Sequence, residues 1–206
     1  MQTLLYSIFR LFRYCIRRIR YYYSVLYTKS VFYLFAVDYG KNLEAHGLPV
    51  VDITPGCTTV IGDHFSINSG SKTNIIGRQQ PCCIVQNHNS KLIIGNNVGM
   101  SSTAIVCHKE IVIGDNVLLG GNVVIYDTDF HSLQIGHRTQ LREDRSSVKR
   151  QSVHIGNNVF VGAHSTILKG AVIGENSIVG SCSLVAGTIP PNEIWGGVPA
   201  KFIKSI

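Results

Sequence analysis

Hydrophobic and polar positions follow two different rhythms along this chain, and the change comes near residue 38. Before it, Leu5, Ile8, Phe9, Phe12, Ile16, Ile19, Tyr23 and Leu26 recur at three- and four-residue intervals. That spacing places them on one face of a helix, predicted over residues 3–28. Arg10, Arg13, Arg17 and Arg20 make a basic stripe beside the apolar face. Residues 31–37, an apolar run, fit either a buried strand or the end of that helix, because periodicity does not separate the two in so short a stretch.

After residue 38 the period is six. Ile155, Val161, Ile167, Ile173, Val179 and Val185 are evenly spaced, and glycine follows four of them, at 156, 162, 174 and 180. Ile113, Leu119 and Ile125 repeat the spacing, as do Ile94, Met100 and Val106, and more briefly Ile61 and Ile67. The group Ile-Gly-(Asp, Asn or Glu)-Asn recurs at 94, 113, 155 and 173. Period six suits short strands joined by tight turns, with the branched residue inward and glycine or asparagine at the corners. Three hexads close an 18-residue coil, and a unit that buries nothing alone gains a continuous core by stacking. The expected class is therefore all-β: a parallel β-helix over residues 38–188, preceded by a helical segment 1–37 and followed by a closing segment 189–206.

The hexads break where Ile125 and Ile155 stand 30 positions apart, leaving 24 residues inserted; the loop is predicted over 127–153. One extra residue between Val106 and Ile113 reads as a corner bulge. The insertion opens with Asp127, Asp129 and His131. An imidazole at a coil exit is suited to remove a hydroxyl proton, since its pKa lies near neutrality. Asp127 or Asp129 is the expected partner for its second ring nitrogen, fixing tautomer and orientation.

Charge and cysteine content narrow the remaining classes. Of a net +7 over 206 residues, +5 falls within the first 50, so the basicity belongs to the N-terminal segment. Its arginines interrupt the apolar stretch, so neither a transmembrane helix nor a signal peptide is expected. The basic aromatic helix fits packing on its own domain or a sister subunit, or an anionic membrane surface through residues 1–30. No fold signature for nucleic acid accompanies it. Six cysteines without paired spacing indicate neither zinc nor a disulfide framework, and reduced thiols favour the cytoplasm. Phosphate-binding glycine loops and a Gly-x-Ser-x-Gly nucleophile turn are both missing from the sequence.

The repeats, the mid-chain histidine loop and the ending Ile189-Pro-Pro…Gly-Val-Pro-Ala…Ile206 together resemble the hexapeptide-repeat acyltransferase superfamily. Residues 94–206 are similar to sugar O-acetyltransferases of the maltose, galactoside and nodulation-factor type, to polysaccharide-biosynthesis acetyltransferases and to xenobiotic acetyltransferases. The resemblance implies a left-handed winding, a homotrimer, and a loop from one subunit reaching over the next. It implies acetyl-CoA as co-substrate, no metal, and His131 as the general base. Relatives place an acceptor-contacting Asn or Asp one coil earlier; here Ser102 or Ser101 takes that position. Lys201 and Lys204 match basic positions that meet coenzyme A phosphates. Ala163 and Ser181 match small residues along its arm, with Phe160 and Ala186 beside them. The implied activity is acetyl transfer to a hydroxyl of a sugar or glycan precursor, in the cytoplasm or peripherally at the inner face of the membrane. N-acetylation of an amino sugar, O-acetylation of an antibiotic, and a non-catalytic trimeric scaffold stand as alternatives.

Overall fold

The computed structural model describes residues 2–74, 76 and 80–206. From Asp38–Tyr39 as far as Ile178–Val179, each strand pairs with the strand three positions further along the chain. Among the described residues this makes three sheets: seven strands from Asp38–Tyr39 to Thr188–Ile189, eight from Glu44–His46 to Lys201–Ser205, and six from Val50–Ile53 to Leu184–Val185. All pairings but one are parallel, so the chain visits each face once per coil, which is a three-sided β-helix. The exception is the last strand, Lys201–Ser205, which folds back antiparallel on Glu193–Gly196. Glu193–Gly196 still pairs in parallel with Ile178–Val179, so the stack runs past the expected boundary at 188.

The register explains the period. Ile155 lies beside Ile173, Val161 beside Val179 and Ile167 beside Val185, each one 18-residue coil on. All six are at most 2% exposed. Burying each such side chain contributes about 1.5–3 kcal/mol, and stacking makes those contributions continuous. Asparagine supplies five successive corners of this edge: Asn97, Asn116, Asn158 and Asn176 after Ile-Gly and Asn192 after Ile-Pro-Pro all take φ of 54–61°. Their amides form a ladder, each Nδ2 donating to the next Oδ1 at 2.9–3.0 Å. The glycine beside them is required by close approach: a Cβ on Gly156 would lie 2.7 Å from the backbone nitrogen of Glu175.

Two expectations need correction here. Val106 does not point inward. Ile105 and Cys107 are buried instead, because a left-handed Ser102 (φ 46°) shortens the preceding corner by one residue. The 18-residue rhythm also breaks earlier than the 127–153 loop, since Ile61 pairs with Ile94 across a first excursion between Ser66–Asn68 and Cys83–Gln86.

The N-terminal helix α1 runs from Gln2 to Leu34, so residues 31–34 are its end and not a strand. It contains no proline or glycine to stop it sooner. Ser24, Thr28 and Phe32 are its buried residues and cover the open end of the first coil. The Ser24 hydroxyl accepts the Gly47 N–H at 3.1 Å, and Phe32 meets Tyr39 edge-on at 5.6 Å. The apolar face does not pack on the domain: Phe9 and Phe12 remain 53% and 61% exposed. No described helix is long and apolar enough to cross a membrane.

Candidate active site

The chain leaves Val124–Tyr126 and enters the insertion through Asp127. This carboxylate is fully buried and accepts N–H bonds from His108 (2.7 Å), Lys109 (2.7 Å) and Glu110 (2.8 Å). It closes the lengthened corner of the coil below. The two stems of the insertion are tied together: the Gln151 N–H donates to the Asp127 carbonyl and the Asp129 N–H to the Lys149 carbonyl. Between these anchored stems Phe130 takes φ 62°, which costs an L-residue about 1–2 kcal/mol and turns the next side chain outward.

That next side chain is His131. Its Nδ1 lies 2.6 Å from Oδ2 of Asp144, while Asp144 Oδ1 accepts the Ser132 N–H, also at 2.6 Å. Both carboxylate oxygens are thereby used in fixing one turn of chain. Asp144 sits on α3 (Leu141–Ser146), which with α2 (Ile135–Arg138) gives the insertion two short helices where a loop is expected from the sequence. The hydrogen bond from the His131 ring, reinforced by the Ser132 N–H, holds the Asp144 carboxyl below the usual carboxylate range. An ionised carboxylate accepts Nδ1–H, so the lone pair is left on Nε2. The His131 side chain is 70% exposed and that of Asp144 5%, giving a solvent-facing imidazole on a buried orienting group.

The expected orienting residues are therefore not the ones used. Asp127 is committed to the three backbone N–H groups of the corner below, and Asp129 to the Lys169 ammonium at 3.0 Å. Asp144 was missed because a spacing of thirteen residues across two short helices carries no periodic signal.

Beside His131 the rings of Tyr126, Phe130, His108 and His88 stack, with successive centroids at 5.4, 5.9 and 4.9 Å. Burial holds both histidines of the stack below the usual imidazole range. Arg150 adds to this for His88, and His88 does so for His108. Burial also pushes the Cys82 and Cys107 thiols up to about 12, so neither supplies a nucleophilic thiolate at neutral pH.

The candidate acceptor and coenzyme positions divide between two faces. Ser101, Phe160, Leu118 and Gly120 line a cavity of about 460 Å³ on the outer surface of the eight-stranded sheet. Ser102 does not reach it: the residue is fully buried in its left-handed corner, with Asn74 donating to its hydroxyl and Gln80 to its carbonyl. Ala163 and Ser181 stack at the next corner, where the Cys182 N–H donates to the Ala163 carbonyl. Phe160, Ile178, Ile194 and Lys204 occupy one register column, three strand steps or about 14 Å long. Lys201 lies on the same terminal strand, and both lysines are exposed. Ala186 lies apart, in a smaller recess with Trp195 and Ala200. The described residues of the His131 insertion line neither cavity.

The family model described as bacterial transferase hexapeptide (six repeats) matches residues 152–187, and that of the hexapeptide repeat of succinyl-transferase matches residues 110–128. Both models describe hexapeptide repeats of transferases, and both fall on coils of the β-helix. Among its relatives, galactoside O-acetyltransferase of Escherichia coli (strain K12) is 37% identical over 122 residues, 58% of this chain. The match spans little more than half of that relative, 56% of its length. The putative lipopolysaccharide biosynthesis O-acetyl transferase WbbJ of the same organism is 28% identical over 147 residues, 69% of each chain. A hexapeptide-repeat acetyltransferase of Vibrio cholerae O1 biovar eltor, solved with acetyl coenzyme A, superposes with a TM-score of 0.52 at 26% identity. That superposition covers 61% of this chain and 68% of the other.

Proposed function

We propose that this hexapeptide-repeat protein transfers an acetyl group from acetyl-CoA to a hydroxyl of a sugar or glycan precursor, with His131 as the general base. The observation that carries the proposal is the His131–Asp144 pair at the mouth of the insertion, with Nδ1 engaged at 2.6 Å. Acetyl-CoA supplies the activated thioester. His131 takes the acceptor hydroxyl proton at Nε2 as the oxygen attacks the acetyl carbonyl, and returns a proton to the departing thiolate. Asp144 keeps the tautomer that makes Nε2 the base and stabilises the imidazolium between the two proton transfers. The same dyad removes the need for Asp127 or Asp129 in that role.

The column from Phe160 to Lys204 suits the coenzyme: small residues Ala163 and Ser181 let a narrow arm approach, and Lys201 and Lys204 offer cations to its phosphates. Ser101 is the remaining acceptor contact of the expected pair. His131 stands off the Ser101–Phe160 cavity within one chain, so the site is completed when a neighbouring subunit brings its insertion over this groove. The reading therefore includes a homotrimer and the left-handed winding of the superfamily. The named activity of the galactoside relative supports a sugar acceptor, and that of WbbJ a cell-envelope glycan.

The test is incubation with acetyl-CoA and a panel of nucleotide-linked, lipid-linked and free sugars, following thiol release and the acetylated product. An alkali-labile ester supports the proposal. An alkali-stable amide assigns N-acetylation, and tight acetyl-CoA binding without any product across the panel favours a binding module.

A further inference from the structure

The first twenty residues of α1 stand clear of the β-helix, and the way the helix is rotated decides what they meet. At 100° per residue, the apolar side chains between Leu4 and Leu26, Val25 apart, fill a sector of about 160°. Leu5, Ile8, Phe9, Phe12, Ile19 and Leu26 in this sector are 53–68% exposed. Ser24, Thr28 and Phe32, which hold the helix to the first coil, lie on the opposite side. The apolar sector therefore faces away from the protein along its whole length of roughly 33 Å. Arg10 and Arg17 continue the side that packs, Arg13 and Arg20 lie between it and one apolar border, and Arg18 lies at the other border. Three guanidinium groups bend onto aromatic rings: Arg10 over Tyr6 at 5.8 Å, Arg13 over Phe9 at 5.6 Å and Arg18 over Tyr22 at 5.2 Å. The helix carries five arginines and one lysine and no acidic residue.

We propose that α1 docks this protein on an anionic bilayer surface, lying in the headgroup plane with its apolar sector among the acyl chains and its arginines at lipid phosphates. The charge set fits that partner. A surface of one sign meets these cations with no carboxylate to repel it. Arg13 and Arg20 reach headgroups from one flank of the apolar sector and Arg18 and Lys29 from the other, with Arg13 and Arg18 laid over Phe9 and Tyr22. Exposed Tyr22, next to the Arg18 border, suits the boundary between headgroup and chain. A second copy fits poorly. Two such helices would bring like charges together without acidic partners, and a sector this wide exceeds the narrow seam of a coiled coil. The docking proposal extends the functional reading but does not depend on acetyl transfer.

The experiment is co-sedimentation of the full chain with vesicles of phosphatidylcholine alone or mixed with phosphatidylglycerol. Two full-length variants accompany it: Phe9→Asp with Phe12→Asp, and Arg13, Arg18 and Arg20 all changed to Gln. These side chains are exposed, so circular dichroism should report an unaltered fold. The unmodified protein is expected to sediment with the mixed vesicles and to be released by salt. Each flanking arginine removed should weaken binding about fivefold, and the triple change by about a hundredfold. The double Phe→Asp change should abolish sedimentation with no change in the protein's mass by light scattering. Protein that stays in the supernatant with anionic vesicles at low salt overturns the proposal. A Phe→Asp variant that falls to a smaller oligomer yet still binds vesicles also overturns it, and assigns the face to a second copy.

Discussion

At the scale of residues, one contact separates orientation from chemistry. On the proposed mechanism His131→Ala removes the base, and it should lower kcat by about 10²–10⁴-fold while leaving coenzyme A binding and the fold intact. Asp144→Asn keeps the shape but lets the ring choose its tautomer. It should cost about 10- to 100-fold in kcat with little change in the KM for acetyl-CoA. Asp127→Asn is expected to act differently, on stability, because its carboxylate holds three backbone N–H groups and never meets the ring. Steady-state kinetics beside urea unfolding separates the three. The pH dependence follows from the Asp144 shift. A carboxyl held below its unfolded value stabilises the folded loop above that value and loses its contribution as pH falls through the folded one. The insertion should stay docked from neutrality to about pH 4 and loosen only below it, which proteolysis of residues 132–147 against pH would detect. Thiol reactivity gives a further check: iodoacetamide at pH 8 should label exposed Cys15 and Cys182 and spare buried Cys82 and Cys107. Labelling of all four at one rate would contradict the burial. His131 was legible in the sequence because it follows directly on the broken hexad. Asp144 was not, because its contact exists only once α2 and α3 have folded back.

Elements show why the hexads were readable and where they misled. An inward branched residue every sixth position is enforced by the pleat and the corner. Wherever both are regular, from Ile113 to Ile125 and from Ile155 to Val185, the pattern names the core directly. It slipped at Val106 because Ser102 shortens one corner, and a one-residue slip exchanges the faces of a strand. The excursion between Ser66–Asn68 and Cys83–Gln86 went unrecognised because only two hexads precede it. The asparagine ladder offers a test of the corners. Asn116→Gly loses two side-chain amide bonds but keeps easy access to φ 57°, whereas Asn116→Ala loses both. The alanine variant should be less stable than the glycine variant by about 1 kcal/mol, read from urea unfolding midpoints. Equal stability would mean that the ladder bonds, and not the corner geometry, set the cost.

For the whole molecule, the β-helix was legible from the repeats. The separation of His131 from the Ser101–Phe160 groove was not, because it is a property of which faces two segments occupy. The proposed function makes assembly part of the chemistry: sedimentation equilibrium should give a trimer, and a monomer retaining full activity would remove the shared site. The direct test of acetyl transfer at His131 is a side-by-side measurement of wild type, His131→Ala and Asp144→Asn with isotopically labelled acetyl-CoA and an accepted glycan, scoring label in the product by mass spectrometry. The account predicts one labelled acetyl ester per acceptor hydroxyl with wild type, a rate at least about 100-fold lower with His131→Ala, and an intermediate rate with Asp144→Asn. Labelled product formed by His131→Ala at more than half the wild-type rate would contradict it.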